Sequence, residues 1–225
     1  MAETKFKFKK CELLPNDGSS LDEDYNLLGG GPIVDYYESI DSPTISMNIT
    51  FIDIDQVISR KGISGGEHID LTIEIDGFDD FKLTKKKHNL MLNSVRNVIT
   101  ETNKQVATLE FVSVESIINE TARVNKKFTG NVSQTVSELL VSYKKGIQTK
   151  KKLDKHDAAN SYSFIGNLKR PFDTVQWLCP KSQSSAKNFG FLFYENFDGY
   201  HFKSIEKLLE QKPSFTYTHT DKPYD

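Results

Sequence analysis

Cysteine is nearly absent from this 225-residue chain: Cys11 and Cys179 stand far apart and make no Cys-x-x-Cys pair. That pattern argues against a disulfide scaffold and a zinc site, and it fits a reducing cytoplasm. No apolar run approaches the roughly 20 residues a helix needs to cross a bilayer. The N-terminus, Met-Ala-Glu-Thr-Lys-Phe-Lys-Phe, alternates charge with apolar residues and so lacks the core of a signal peptide. His68, His88, His156, His201 and His219 are scattered, with no His-x-His or His-Glu-x-x-His spacing. There is no nucleophile elbow, no Walker lysine and no carboxylate pair at a glycosidase-like spacing. Gly29-Gly30-Gly31-Pro32 lacks the Lys-Ser/Thr and the helix start of a phosphate loop, so it reads as a turn or hinge. No catalytic residue, metal or cofactor is expected.

What is present is the composition of a globular protein, 37% hydrophobic and 27% charged, on a chain long enough for one large domain or two ordinary ones. The formal net charge of −2 gives the molecule no general attraction to nucleic acid or anionic lipid. The charges are segregated, however. Residues 1–80 hold 17 Asp/Glu against 6 Lys/Arg, whereas residues 123–169 hold 10 Lys/Arg against 3 Asp/Glu. Two solvated faces of opposite sign are the plain expectation, and a docking surface or lumen of fixed sign the sharper one.

The first half reads as strands. Residues 44–51 place Ile45, Met47, Ile49 and Phe51 on one face, and residues 68–76 do the same with Ile69, Leu71, Ile73 and Ile75. Period two with one apolar face is the pattern of a half-buried antiparallel strand. Segments 5–8, 33–39, 81–85, 89–98 and 105–112 are weaker examples, and segments 14–31 and 55–66 read as long loops. Six or seven such strands predict a small antiparallel β-barrel over residues 1–112, closed so as to remove its edges.

Residues 113–210 change character and predict an α/β domain. Segment 113–121 is a short helix. Asn131-Val132-Ser133-Gln134 resembles a capping box and opens a helix bearing Val132, Val136, Leu139, Leu140 and Tyr143, which Lys144-Lys145-Gly146 ends. A second helix starts at Pro171 and is stopped or kinked by Pro180. Residues 189–195 and 200–203, joined through Asp198-Gly199, predict a β-hairpin. Residues 204–210 predict a last short helix, and 211–225 a tail or the start of a truncated second barrel. The class is therefore mainly β (α+β).

Asp70, Glu74 and Asp76 form a carboxylate row on the polar face of one predicted strand. The polar side of an amphipathic strand is the ordinary explanation, and a lumen lining the functional one. Lys85-Lys86-Lys87, Lys144-Lys145 and Lys150-Lys151-Lys152 are basic runs. They read as solvated surface; the rival reading is a barrel-type nucleic-acid-binding module using residues 144–152.

Several phrases, in one order over about residues 30–210, resemble the hub proteins of myovirus-type phage baseplates and contractile injection systems. They are Asp35-Tyr36-Tyr37-Glu38-Ser39-Ile40-Asp41-Ser42-Pro43, Ile63-Ser64-Gly65-Gly66-Glu67-His68-Ile69-Asp70-Leu71-Thr72-Ile73, Lys169-Arg170-Pro171-Phe172-Asp173-Thr174-Val175-Gln176-Trp177-Leu178, and Phe191-Leu192-Phe193-Tyr194-Glu195 with Asp198-Gly199-Tyr200-His201-Phe202-Lys203-Ser204. The resemblance implies a virion structural protein, assembled in the host cytoplasm, that is not an enzyme. It implies a homotrimer whose duplicated barrels form a pseudo-six-fold ring between a hexameric tail tube and a trimeric spike. Tube and spike proteins would then be its partners, with DNA passing through unbound and Asp70, Glu74 and Asp76 facing the lumen. Hubs of that family are longer, so the chain reads as a truncated one, the favoured expectation, or as an unusually short homologue; a truncated chain on its own need not form the trimer.

Overall fold

Alternation of apolar and polar residues produces the strands where it is strongest, and pairing then fixes their order. The computed structural model describes residues 6–16, 25–54, 56–77, 79–101, 104–188, 190–213 and 216. Seven strands build the first sheet: β1 (Phe6–Leu14), β2 (Ile33–Tyr37), β3 (Ser46–Asp53), β4 (His68–Ile75), β5 (Phe81–Leu83), β6 (Leu90–Glu101) and β7 (Lys104–Ser113). Their order is β1-β4-β6-β7-β3-β2, with β5 on β4, and every pair is antiparallel. The β4–β6 junction is one residue pair, His68 with Met91. Bulges interrupt β1 at Phe8/Lys10 and β6 at Leu92/Ser94 and Arg96/Ile99. Such irregularities increase twist, and the sheet curls into a half-barrel.

The curl stops short of closure, because β1 and β2 are not hydrogen-bonded to each other. An apolar seam lies between them, lined by Phe6, Phe8, Ile33, Val34, Ile73 and Ile75. The inner face buries Leu13, Met47, Ile49, Leu71, Leu109 and Phe111, all fully removed from solvent.

The segment read as a loop over 55–66 contains a short helix, α1 (Val57–Lys61). Asp53, 1% exposed at the end of β3, accepts from the backbone N–H groups of Val57 (2.7 Å) and Ile58 (3.0 Å). The cap precedes the helix by several residues, too far for a standard N-cap pattern to reveal it. Of the loop read over 14–31, residues 17–24 lie outside the described residues, and the glycine run forms a 3-10 turn, Leu28–Gly30. A Cβ on Gly30 would meet the Ile52 carbonyl at 2.5 Å, so this turn needs glycine for close approach.

The helix α2 (Val114–Thr121) leads to a second core, formed by Val124, Val136, Leu139, Phe172, Tyr200, Phe202 and their neighbours. Here β8 (Lys127–Phe128) pairs with β10 (Phe164–Ile165), and β9 (Leu153–Lys155) runs parallel to β12 (Gly199–Ser204), itself antiparallel to β11 (Phe191–Asn196). Strands β8, β9 and β10 are two or three residues long and show no periodicity. The capped helix α3 (Val132–Ser137) has its Asn131 side chain accepting from Ser133 and Gln134 N–H, as expected. It continues as a π-helical turn, Glu138–Ser142. Helix α4 (Pro171–Leu178) carries proline in its first turn, and Pro180 falls in the 3-10 turn that follows. Helix α5 (Ile205–Leu209) is the last element among the described residues, and most of the predicted tail, residues 214, 215 and 217–225, lies outside them.

Candidate functional site: a lysine-lined trench between two cores

The hairpin of β11 and β12 joins the two cores. Its register pairs Asn196 with Gly199, so Phe197 and Asp198 are the loop residues and Gly199 already belongs to β12. Gly199 is required for another reason: φ is +133° and a Cβ would meet the Lys152 carbonyl at 2.4 Å. The loop reaches the half-barrel. Phe197 N–H donates to Glu38 (2.5 Å), and the Phe197 ring packs on Phe81 (5.2 Å between centroids) and His88 (4.4 Å).

Beneath it lies an ionic triad drawn from both halves of the chain. The Lys151 ammonium bridges Glu195 (2.6 Å) and Glu115 (2.8 Å), with side-chain exposures of 6%, 1% and 5%. Glu195 also accepts from Ser113 Oγ (2.6 Å) and from Ile45 N–H (3.1 Å), and Thr149 Oγ1 donates to Glu115 (2.6 Å). Two carboxylates therefore share one buried cation. Burial raises the Glu195 carboxyl above its usual range, with Lys151 and Ser113 pulling it back down. Sequence reasoning placed Lys151 on a solvated surface and Glu195 at a hairpin turn. Neither run nor turn signals a contact made only by tertiary packing.

The lysine runs, separate in sequence, meet above this triad. A hollow of about 510 Å³ is lined by Lys86, Lys87, Lys150, Lys152 and His88. A second, of about 490 Å³, shares Lys86, Lys87, Lys150 and Lys151 with it and adds Lys85, Val114 and Ile118. A third, of about 470 Å³, shares Ile118 and Gln148 with the second and is lined by Arg123, Lys144 and Lys145. Sharing lining residues, the first with the second and the second with the third, the three hollows adjoin as a basic trench. His88 lies at its inner end, 3% exposed, and burial first, then Lys87 and Lys151, lower its pKa to about 4.

The predicted carboxylate row is positioned differently. Lys10 holds Asp70 (3.2 Å) and Lys9 holds Glu74 (3.0 Å), while Asp76 is exposed beyond the strand end. Cross-strand lysines of β1 thus offset most of that row. Among the described residues no cluster of three or more His, Cys, Asp or Glu side chains is placed to hold a metal, and no helix is long and apolar enough to cross a membrane. Cys11 and Cys179 are buried, which pushes both thiols up to about 12 and leaves them unreactive at neutral pH.

This fold, a curled antiparallel half-barrel followed by a small α/β unit, is similar to parts of several solved tail proteins and of a PdpA–VgrG complex. It is similar to the tail protein from Neisseria meningitidis MC58 at a TM-score of 0.50 and 9% identity, covering 88% of this chain and 51% of that one. It is similar to prophage tail protein gp18 from Listeria monocytogenes EGD-e at 0.51 and 7%, covering 96% and 56%. A chain of the Francisella PdpA–VgrG complex matches at 0.50 and 10%, covering 93% and 33%. The chain thus spans about half the length of the two tail proteins and a third of the last. The tail-hub resemblance read from the sequence therefore holds at the level of fold. No protein-family profile matches the sequence, and no curated protein does.

Proposed function

We propose that this chain is a structural, non-catalytic component of a phage-type tail, acting as a baseplate hub. The observation that carries the reading is the match of nearly the whole chain to tail proteins despite negligible identity. Residues 1–112 form the hub's half-barrel domain and residues 113–210 its α/β domain, each with its own core and tied by the Lys151 triad. In the working form three chains close a ring, joining a six-fold tube to a three-fold spike by duplicated, similar barrels. The polar face of β4 lines the lumen. Asp76 supplies most of its negative charge, because Lys9 and Lys10 occupy the other two carboxylates.

Two measurements test this. Light scattering of the purified chain over a range of concentrations, alone and extended toward a second barrel, is expected to give a trimer for the extended form. A monomer at every concentration for both would remove the ring. Mass spectrometry of purified tail particles from producing cells is expected to find the chain, and its absence there would remove the tail assignment itself.

A further inference from the structure

Several lysines elsewhere on this surface carry a carboxylate: Lys9 with Glu74, Lys82 with Asp80, Lys126 with Glu138, Lys203 with Asp154. Among the described residues, Lys85, Lys86, Lys144, Lys145, Lys150 and Lys152 form no ion pair, although the fold crowds them along one line. Like charges gathered without partners cost stability unless something of opposite sign is recruited. The carboxylates facing the trench do not provide it. Glu115 and Glu195 are spent on Lys151, which leaves Asp198 at the rim.

The trench's form and lining narrow the occupant. Three hollows in series suit an extended chain better than a compact metabolite. Single strands of nucleic acid are held by open aromatic platforms, but the rings lining these hollows, Phe197 and His88, are stacked on each other, and Lys87 Nζ lies 4.5 Å from the Phe197 ring. Midway, Val114 and Ile118 offer a small apolar floor, with Ile118 36% exposed. We propose that the trench docks an extended acidic segment of a partner protein, with carboxylates on the flanking lysines and one apolar side chain on Val114 and Ile118. The inference is independent of ring formation, since every residue it uses belongs to one chain.

The test is fluorescence anisotropy with a labelled poly-glutamate peptide carrying one central leucine, compared with an unlabelled single-stranded oligo(dT) competitor. The parent chain is expected to bind the peptide, more weakly as salt rises. The triple substitution Lys86→Glu, Lys150→Glu, Lys152→Glu is expected to weaken it by roughly tenfold or more, since three attractions to the peptide's carboxylates become repulsions. Lys127→Glu, Lys187→Glu, Lys207→Glu, the same change of charge elsewhere, is expected to leave affinity within about twofold, and glutamine at the three trench positions covers the case in which reversal disturbs folding. Equal loss in both triple variants, or no loss in the trench variants, overturns the proposal. Displacement of the peptide by oligo(dT) at lower concentration than by unlabelled peptide overturns it in favour of a nucleic-acid site.

Discussion

His88 shows how one side chain can couple packing to pH. Its Nδ1 accepts from Thr84 N–H (3.3 Å) and its ring lies on Phe197, so protonation must occur inside a packed turn. The folded pKa of about 4 lies below the ordinary 6.5. Between those values the unfolded chain takes up a proton that the folded chain does not. Stability present above pH 6.5 is therefore lost as pH falls toward about 4, by an amount on the order of 3 kcal/mol. Glu195 acts in the opposite sense: its raised pKa gives a contribution present below 4.5 and lost as pH rises through the folded value. Replacing His88 with phenylalanine keeps a ring against Phe197. Urea unfolding at a series of pH values should show a flatter acid limb between pH 6.5 and 4 than the parent, and an unchanged slope there would contradict the assignment.

Two short helices illustrate what capping contributes at the scale of an element. Helix α3 begins at an asparagine whose side chain serves the next free N–H groups, and Asn131→Ala is expected to cost about 1 kcal/mol. Helix α1 depends on Asp53, a buried carboxylate reaching forward to Val57 and Ile58. Removing it strands two buried donors, so Asp53→Ala is expected to cost about 2 kcal/mol or more. Thermal melts of both variants check the order, and an equal or smaller loss at Asp53 would show that α1 does not need its cap. The first cap is local and visible in the sequence, whereas the second depends on β3 ending beside α1.

Across the whole molecule, the half-barrel and the α/β unit meet through Phe197 and through the triad of Lys151, Glu115 and Glu195. Removing one partner of a buried ion pair leaves charge uncompensated, typically at a cost of about 3–5 kcal/mol. Lys151→Met leaves two such carboxylates on the shared surface. The parent is expected to unfold in one calorimetric transition and the variant in two, with the half-barrel and α/β unit melting separately. A single, merely lowered transition in Lys151→Met would mean that the two units stay coupled without the triad.

The sequence by itself determined the strands with clean alternation, β3 and β4, the capped helix α3, the proline-started helix α4 and the β11–β12 hairpin. In each of these the signal lies within a few neighbouring residues, where side-chain period and backbone preference act. Strands β8, β9 and β10 were not legible there, because pairs two or three residues long are set by what lies opposite. Only the tertiary structure decided that the barrel stays open between β1 and β2, and that Lys151 is buried while Lys150 and Lys152 are exposed. It alone brought the lysine runs at 85–87, 144–145 and 150–152 to one trench. Charges distant along the chain become neighbours through the path of the backbone, and no local periodicity records that path.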